Sequence, residues 1–305
     1  MVGDNGEVVV TDPPCAFVAS PYEATASFVA GCVFGPEALA AELEAVARTE
    51  LRPTFRQATD WTWVEAHHRS VVDPAVMRRD VERWTRDVLA AGRRPILVGG
   101  EHTVTAGALA AFDDPASITV VQFDAHADLR QEYEGTPWNH ACAMRRALDL
   151  GHPLLQIGIR SAVREEIVGV YGDRADGRAG LLVRKGPPPA QMLTRSGLRE
   201  RGLADVLAGI GPRVYVTIDL DVLDPGSAPG VGTPEPDGLT FWELMDALEA
   251  VLAGRTLVGA DVVELCPARD DGRTARLAAR LAAFLGASGR ADERTSGRAG
   301  APVPR

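Results

Sequence analysis

Closely spaced cysteines are missing from this chain. Its four cysteines, Cys15, Cys32, Cys142 and Cys266, stand far apart with no Cys-x-x-Cys pair, so neither a structural zinc site nor a disulfide framework is expected. Positive charge is also in deficit. The 32 Lys and Arg are outnumbered by 42 Asp and Glu, for a net charge of −10. Phosphate backbones require clustered cations, so nucleic acid is excluded as an expected partner, and nothing suggests attachment to an anionic membrane surface. No apolar run approaches the ~20 residues that span a bilayer. The opening "MVGDNGEVVV" lacks the basic-then-apolar order of a signal peptide. A cytoplasmic enzyme or binding protein is the expectation, and the acidic balance mildly favours cationic small molecules.

What the chain does have is a series of short, continuously apolar runs separated by helix-like stretches. "RPILVGG" at 94–100, "SITVVQFD" at 117–124, "PLLQIGIR" at 153–160, "RVYVTIDLD" at 213–221 and "TLVGADVVEL" at 256–265 read as strands. Continuous rather than alternating apolar character suits parallel strands covered on both faces. Helices are expected at Pro74–Ala91, Arg199–Ala208 and Thr240–Leu252, the last opening with Thr240 and Glu243 in capping-box spacing. A final amphipathic helix over 273–286 is expected to stop at Gly286. This alternation predicts one doubly wound α/β domain over residues 1–286. Residues 172–197, with "GPPPA", read as a long loop, and residues 287–305 have the composition of a disordered tail.

The chemistry gathers where these strands end. "FDAHAD" places Asp124, His126 and Asp128 at alternate positions, which share one side if the extended geometry continues. "TIDLD" ends another strand with Asp219 and Asp221, and "GGEH" ends a third with His102. In open parallel sheets ligands collect at the carboxyl ends of strands. Four carboxylates on one rim would repel strongly unless cations compensate them. Mixed carboxylate and imidazole donors without thiolates suit Mn²⁺, among other divalent ions. Six donors exceed what one catalytic metal with open positions can use, and they match two metals sharing carboxylates. Each motif alone has a plainer reading: a strand-end turn for the Asp-x-Asp, a structural histidine for His102, a phosphate-cradling turn for "GGEH". Their joint occurrence favours the metal centre.

The motifs "GGEHTVT", "FDAHADLR", "EYEGTPWNHACAMRRA", "IGIRS", "TIDLDVLDPGSAPGVGTPEPDGLT" and "DVVELCPARD" together resemble the ureohydrolase family of arginases and agmatinases. The resemblance covers most of residues 20–286 in family order. It implies a three-layer α/β/α sandwich on a mainly parallel sheet, two Mn²⁺ ions per chain, hydrolysis of a guanidino group to an amine plus urea, and a homo-oligomer, trimer or hexamer. Carried over by position, it gives one metal His102, Asp124, Asp128 and Asp219, and the other Asp124, His126, Asp219 and Asp221. It also implies that Asp128 assists the nucleophile, that His140 in "WNHAC" shuttles protons near the substrate, and that Glu264 in "DVVEL" grips the guanidinium. His67, His68 and His152 match nothing in the family and are read as surface or structural.

The segment before His140 is similar to the agmatinase branch and lacks the Ser-Gly-Asn pattern by which arginases hold an α-amino acid. Agmatine, 4-guanidinobutyrate, another ω-guanidino acid and a larger amidino intermediate of specialised metabolism all stay open. Three rival classes remain beside the amidinohydrolase. Against a binuclear phosphoesterase stand the acidic neighbours Glu101 and Glu264, and against a single-metal deacetylase the surplus of donors. The intact donor set weighs against a silent binding protein.

Overall fold

The apolar runs form strands buried on both faces, because each is flanked by helices that cover the sheet from either side. The computed structural model describes residues 15–47, 49, 61–65, 71–173, 175 and 180–288. In chain order the elements are β1 (Cys15–Ser20), α1 (Gly35–Ala47), β2 (Trp61–Glu65), α2 (Pro74–Ala90), β3 (Arg94–Gly99), α3 (Val104–Leu109), β4 (Ile118–Phe123), α4 (Ala143–Leu150) and β5 (Leu154–Ile159). They continue with α5 (Arg164–Tyr171), β6 (Leu181–Arg184), β7 (Ala190–Thr194), α6 (Arg195–Arg201), α7 (Ala204–Leu207), β8 (Arg213–Asp219), α8 (Phe241–Leu252), β9 (Thr256–Val263) and α9 (Arg273–Ala287).

One sheet runs in the order β2-β1-β3-β9-β8-β4-β5-β7-β6. Its pairings are parallel except for the antiparallel β6–β7 pair at one edge. Alternate strand residues face two separate apolar layers. Phe17, Ile96, Val98, Val121 and Phe123 pack with residues of α1, α8 and α9, including Leu39, Leu248 and Leu281. Val18, Leu97, Val120 and Tyr215 pack with residues of α2, α3 and α4, including Met77, Leu109 and Met144. The result is the three-layer α/β/α sandwich.

Several local expectations are corrected. The segment 172–197 is not one long loop: β6 and β7 form a hairpin that extends the sheet edge, with "GPPPA" near its turn and Thr194 capping α6 through Gly197 N. The helix expected over Arg199–Ala208 is two short helices, broken at Gly202, whose φ of 71° leaves the helical region. Helix α9 passes Gly286 and ends at Ala287, where Ser288 N bonds to Phe284 O. Ala287, the first residue of the expected tail, therefore completes this helix, Ser288 caps it, and 289–305 lie outside the described residues. The capping box at Thr240 and Glu243 forms as expected. All four cysteines are buried, and no disulfide joins them. His152 is fully buried, its ring nitrogens 3.1 Å from Ile118 O and 3.3 Å from Leu109 O, a structural role. His67 and His68 lie outside the described residues.

The central strands β3, β9, β8 and β4 are neighbours and run the same way, so their C-terminal ends meet at one rim. Gly100, just past β3, is pinched there between two other strand exits. Its N–H donates to Ser20 O (2.9 Å), its carbonyl accepts from Glu264 N (2.8 Å), and a Cβ on it would lie 2.0 Å from Tyr22 O. Only glycine fits without backbone movement. Gly100→Ala is expected to destabilise the fold by about 2–3 kcal/mol, lowering Tm by about 3–5 °C. An unchanged Tm in a thermal scan would show that this rim tolerates displacement.

Candidate metal centre

Four adjacent strand ends deliver the polar side chains singled out in the sequence. His102 follows β3 in the turn before α3, Asp124 follows β4, Asp219 closes β8 and Glu264 follows β9. The register aligns Phe123 with Ile218 and Asp219 with Val263, so Asp124, Asp219 and Glu264 leave the sheet at nearly one level.

The six residues converge. His102 Nδ1 lies 2.9 Å from Asp128 Oδ2, 3.2 Å from Asp124 Oδ2 and 3.5 Å from Asp219 Oδ2. His126 Nδ1 lies 2.9 Å from Asp221 Oδ2 and 3.7 Å from Asp124 Oδ1. Two clusters of donor atoms, each within 4.8 Å, can hold a metal: His102, Asp124 and Asp128, and Asp124, His126 and Asp221. Asp124 belongs to both.

The convergence does not come from a continued strand. β4 ends at Phe123, and His126 forms only an isolated bridge with Ser161. Asp128 sits in the left-handed region at φ 52°, with its carbonyl accepting from Met144 N and Arg145 N. That turn swings its carboxylate back to His102. Glu264 is likewise left-handed, at φ 67°. Strain of this kind persists only where surrounding contacts impose it, and it concentrates at functional sites.

The electrostatics are unbalanced. Burial and the charges of Asp221 and Asp124 push the Asp219 carboxyl well above its usual range. Burial and Asp124 push Asp128 up to about 7. Burial would lower His102, but Asp124, Asp128 and Asp219 outweigh it and hold the imidazole well above its ordinary value. His126 is raised against burial by Asp221 and Asp124. Without cations, then, the cluster keeps protons on groups that would otherwise ionise.

The donor atoms fit divalent metal. His102 Nδ1 is buried and has no hydrogen-bond partner, while facing three carboxylates. Its other nitrogen, Nε2, is 2.8 Å from Thr217 Oγ1, and the Thr217 hydroxyl donates to Asp261. Asp261 also accepts from Tyr215 Oη (2.8 Å) and Thr105 Oγ1 (3.0 Å). This buried chain fixes the ring with Nδ1 toward the carboxylates, as an outer shell does for a metal-binding histidine. Asp124 is oriented by Gln122 Nε2 (2.6 Å), itself held by Gln156 on the neighbouring strand (2.6 Å).

Sequence reasoning did not single out Gln122, Gln156, Thr217 or Asp261. The signal available was a polar residue inside a continuously apolar strand, and the register pairs Gln122 with Gln156 and Thr217 with Asp261.

A cleft of about 190 Å³ opens above the donors, lined among others by His102, Asp128, His140, Asp219 and Glu264. Glu264 Oε1 accepts from His102 N (2.7 Å). Burial, then the charges of Asp219 and Glu101, raise this carboxyl well above its usual range, so a bound cation would restore its ionisation. His140 Nε2 is 2.9 Å from Ser27 Oγ. Burial, with His102, His126 and Arg130 nearby, lowers its imidazole to about 4. Glu101, counted in the sequence among the acidic neighbours, turns away from the cleft. It accepts from Thr25 N (2.8 Å) and from the Thr25 and Thr103 hydroxyls.

Such a parallel α/β sheet, with carboxylate and imidazole donors crowded at its C-terminal rim, has close counterparts. The Arginase family profile matches residues 13–286, and the chain belongs to that family. It is 33% identical to an N(1)-aminopropylagmatine ureohydrolase of Synechocystis sp., over 92% of this chain and 91% of that protein. It is 34% identical to the enzyme of the same name from Thermus thermophilus, over 81% of this chain and 80% of that protein. Among solved structures, the agmatine ureohydrolase of Thermoplasma volcanium superposes with a TM-score of 0.74 at 30% identity, covering 91% and 90% of the two chains. Among the described residues, no helix is long and apolar enough to cross a membrane.

Thr217→Val keeps the shape and removes the link between His102 and Asp261. It is expected to weaken Mn²⁺ affinity about 10–100-fold, read by calorimetric titration of metal into chelator-treated protein. Wild-type affinity would mean that the chain does not orient His102.

Proposed function

We propose that this agmatinase-like ureohydrolase hydrolyses agmatine or N(1)-aminopropylagmatine, a linear guanidine with a cationic tail, to urea and the corresponding amine, using two Mn²⁺ ions per chain. The observation that carries the reading is the position of Glu264: a buried carboxylate in the wall of the cleft that contains Asp128 and both metal-binding histidines. A guanidinium is the planar cation such a carboxylate can orient by charge-assisted hydrogen bonds. The same carboxylate would repel a phosphate, which disfavours the phosphoesterase reading. The cationic tail rests on the names of the relatives and agrees with the chain's net charge of −10.

His102, Asp124, Asp128 and Asp219 would hold one ion, and Asp124, His126, Asp219 and Asp221 the other, with Asp124 and Asp219 shared. The buried, unpartnered His102 Nδ1 and the thiolate-free donor set support this assignment. When bound, the metal pair supplies an activated water at neutral pH. The residues of the chain do the rest. Glu264 holds the guanidinium so that its carbon faces the donor cluster. Asp128, at the cleft floor, accepts a hydrogen bond from the attacking water and directs its lone pair. The amine can leave only once protonated, and His140, neutral at rest, passes on to it the proton released by the attacking water.

Urea release by Mn²⁺-loaded protein tests the reading across agmatine, N(1)-aminopropylagmatine, arginine and 4-guanidinobutyrate. Turnover of one of the first two, with arginine at least about 100-fold slower, is the expected result. Equal or better turnover of 4-guanidinobutyrate would overturn the cationic tail. Asp128→Asn is expected to abolish urea formation. Glu264→Gln should lower kcat/KM about 10–100-fold, the size of a lost hydrogen bond to a charged group. Wild-type kinetics in either variant would remove that residue from the mechanism.

A further inference from the structure

We propose that Ser27 is the exit for the proton of His140: its hydroxyl takes the proton from Nε2 and passes its own to the departing amine. The inference rests on the hydrolytic reading above.

His140 begins a short helical turn at the cleft wall, capped by Asn139, whose side chain accepts from Ala141 N. Of its two ring nitrogens, Nδ1 is buried, while Nε2 lies 2.9 Å from Ser27 Oγ, and a backbone hydrogen bond ties the ring to Thr25. The Tyr133 ring packs edge-on against the imidazole, with centroids 6.1 Å apart. A proton leaving this ring therefore has Nε2 as its route, and Ser27 stands on that route. Ser27 is half-exposed and lines the same cleft as Asp128 and Glu264.

The loop that carries Ser27 is built to hold it there. Glu23 Oε2 accepts from Gly31 N (2.7 Å) and Val33 N (3.1 Å), closing the loop on itself. Thr25 is fastened to Glu101, the residue before His102, through both its N–H and its hydroxyl. Thr25 O also accepts from Asn139 Nδ2 (3.5 Å), the residue before His140. The loop thus bridges the turn bearing His102 and the turn bearing His140. Phe28 takes a left-handed φ of 65° and faces solvent, while Ser27 before it faces the cleft. A strained step beside a cleft residue fits imposed placement rather than a free loop.

The transfer balances. The Nε2–H bond of the imidazolium breaks as an O–H bond forms on Ser27. The original Ser27 proton moves to the amine nitrogen as the C–N bond breaks, with the bonding pair staying on nitrogen. Ser27 ends as a hydroxyl and His140 as the neutral imidazole it is at rest; the proton it relays is the one given up by the attacking water, so each turnover moves one proton from that water to the amine.

The test is steady-state urea release by Mn²⁺-loaded wild type, Ser27→Ala and Ser27→Thr, with metal content measured on the same samples. Ser27→Ala is expected to lower kcat about 10–100-fold with KM within about twofold and metal content unchanged, a loss within the range of acid–base catalysis. Ser27→Thr, which keeps a hydroxyl, should restore most of kcat. Full activity of Ser27→Ala overturns the inference, as does equal damage in both variants or loss of metal from Ser27→Ala, since each assigns Ser27 to shape or metal support. Absence of urea from the wild type itself overturns the hydrolytic reading and the relay with it.

Discussion

Three strands that lie side by side and run the same way end in carboxylates. Asp124, Asp128, Asp219 and Asp221 are all buried at the rim where β4 and β8 stop, and Glu264 joins them from β9. Charges placed so close in a medium of low polarity repel by far more than an ordinary hydrogen bond returns. His102 and His126 compensate part of this, and the raised Asp128 and Asp219 carboxyls mark what is left over. On the proposed reading, divalent ions held at the shared Asp124 would remove the remainder. The rest of the rim is arranged around that need, from the glycine that lets the strand exits approach to the left-handed turns of Asp128 and Glu264.

Around the donors lies a set of buried hydrogen-bonding groups that keep them aimed. Thr217, Asp261, Tyr215 and Thr105 fix one face of His102, and Gln122 and Gln156 fix Asp124. All are buried in the middle of the sheet or beside it. They cannot rearrange without disturbing strand packing, so the donors meet an incoming ion preorganised. The loop through Glu23, Thr25 and Ser27 extends this order to the cleft wall. By way of Glu101 and Asn139 it ties the turn bearing His102 to the turn bearing His140. The two turns thus share one hydrogen-bonded frame.

The central strands were legible in the sequence because apolar continuity is a local property, and so was the capping box at Thr240. The β6–β7 hairpin was not. Its strands are short, its turn is rich in proline, and its place depends on pairing with β5 far away in sequence. The helix expected through Arg199–Ala208 failed at a single residue, Gly202, whose conformation the composition of the segment hides. The donor set was visible in "FDAHAD", "TIDLD" and "GGEH", but the reason given for the first was incomplete. Alternation along a strand does not bring Asp128 to His102; a left-handed turn does. Thr217, Asp261 and Gln122 showed only as polar residues in apolar runs, since their partners are set by register across strands. Ser27 was not singled out, because its approach to His140 depends on a loop folding back onto a residue more than a hundred positions later.

The central claim is that this rim is a two-metal site with a shared aspartate. Anomalous diffraction at the manganese edge, from crystals grown with Mn²⁺, tests it most directly. The account predicts two peaks per chain, one beside His102 and Asp128 and the other beside His126 and Asp221, with Asp124 between them. A single peak, or none at full Mn²⁺ loading, would contradict it.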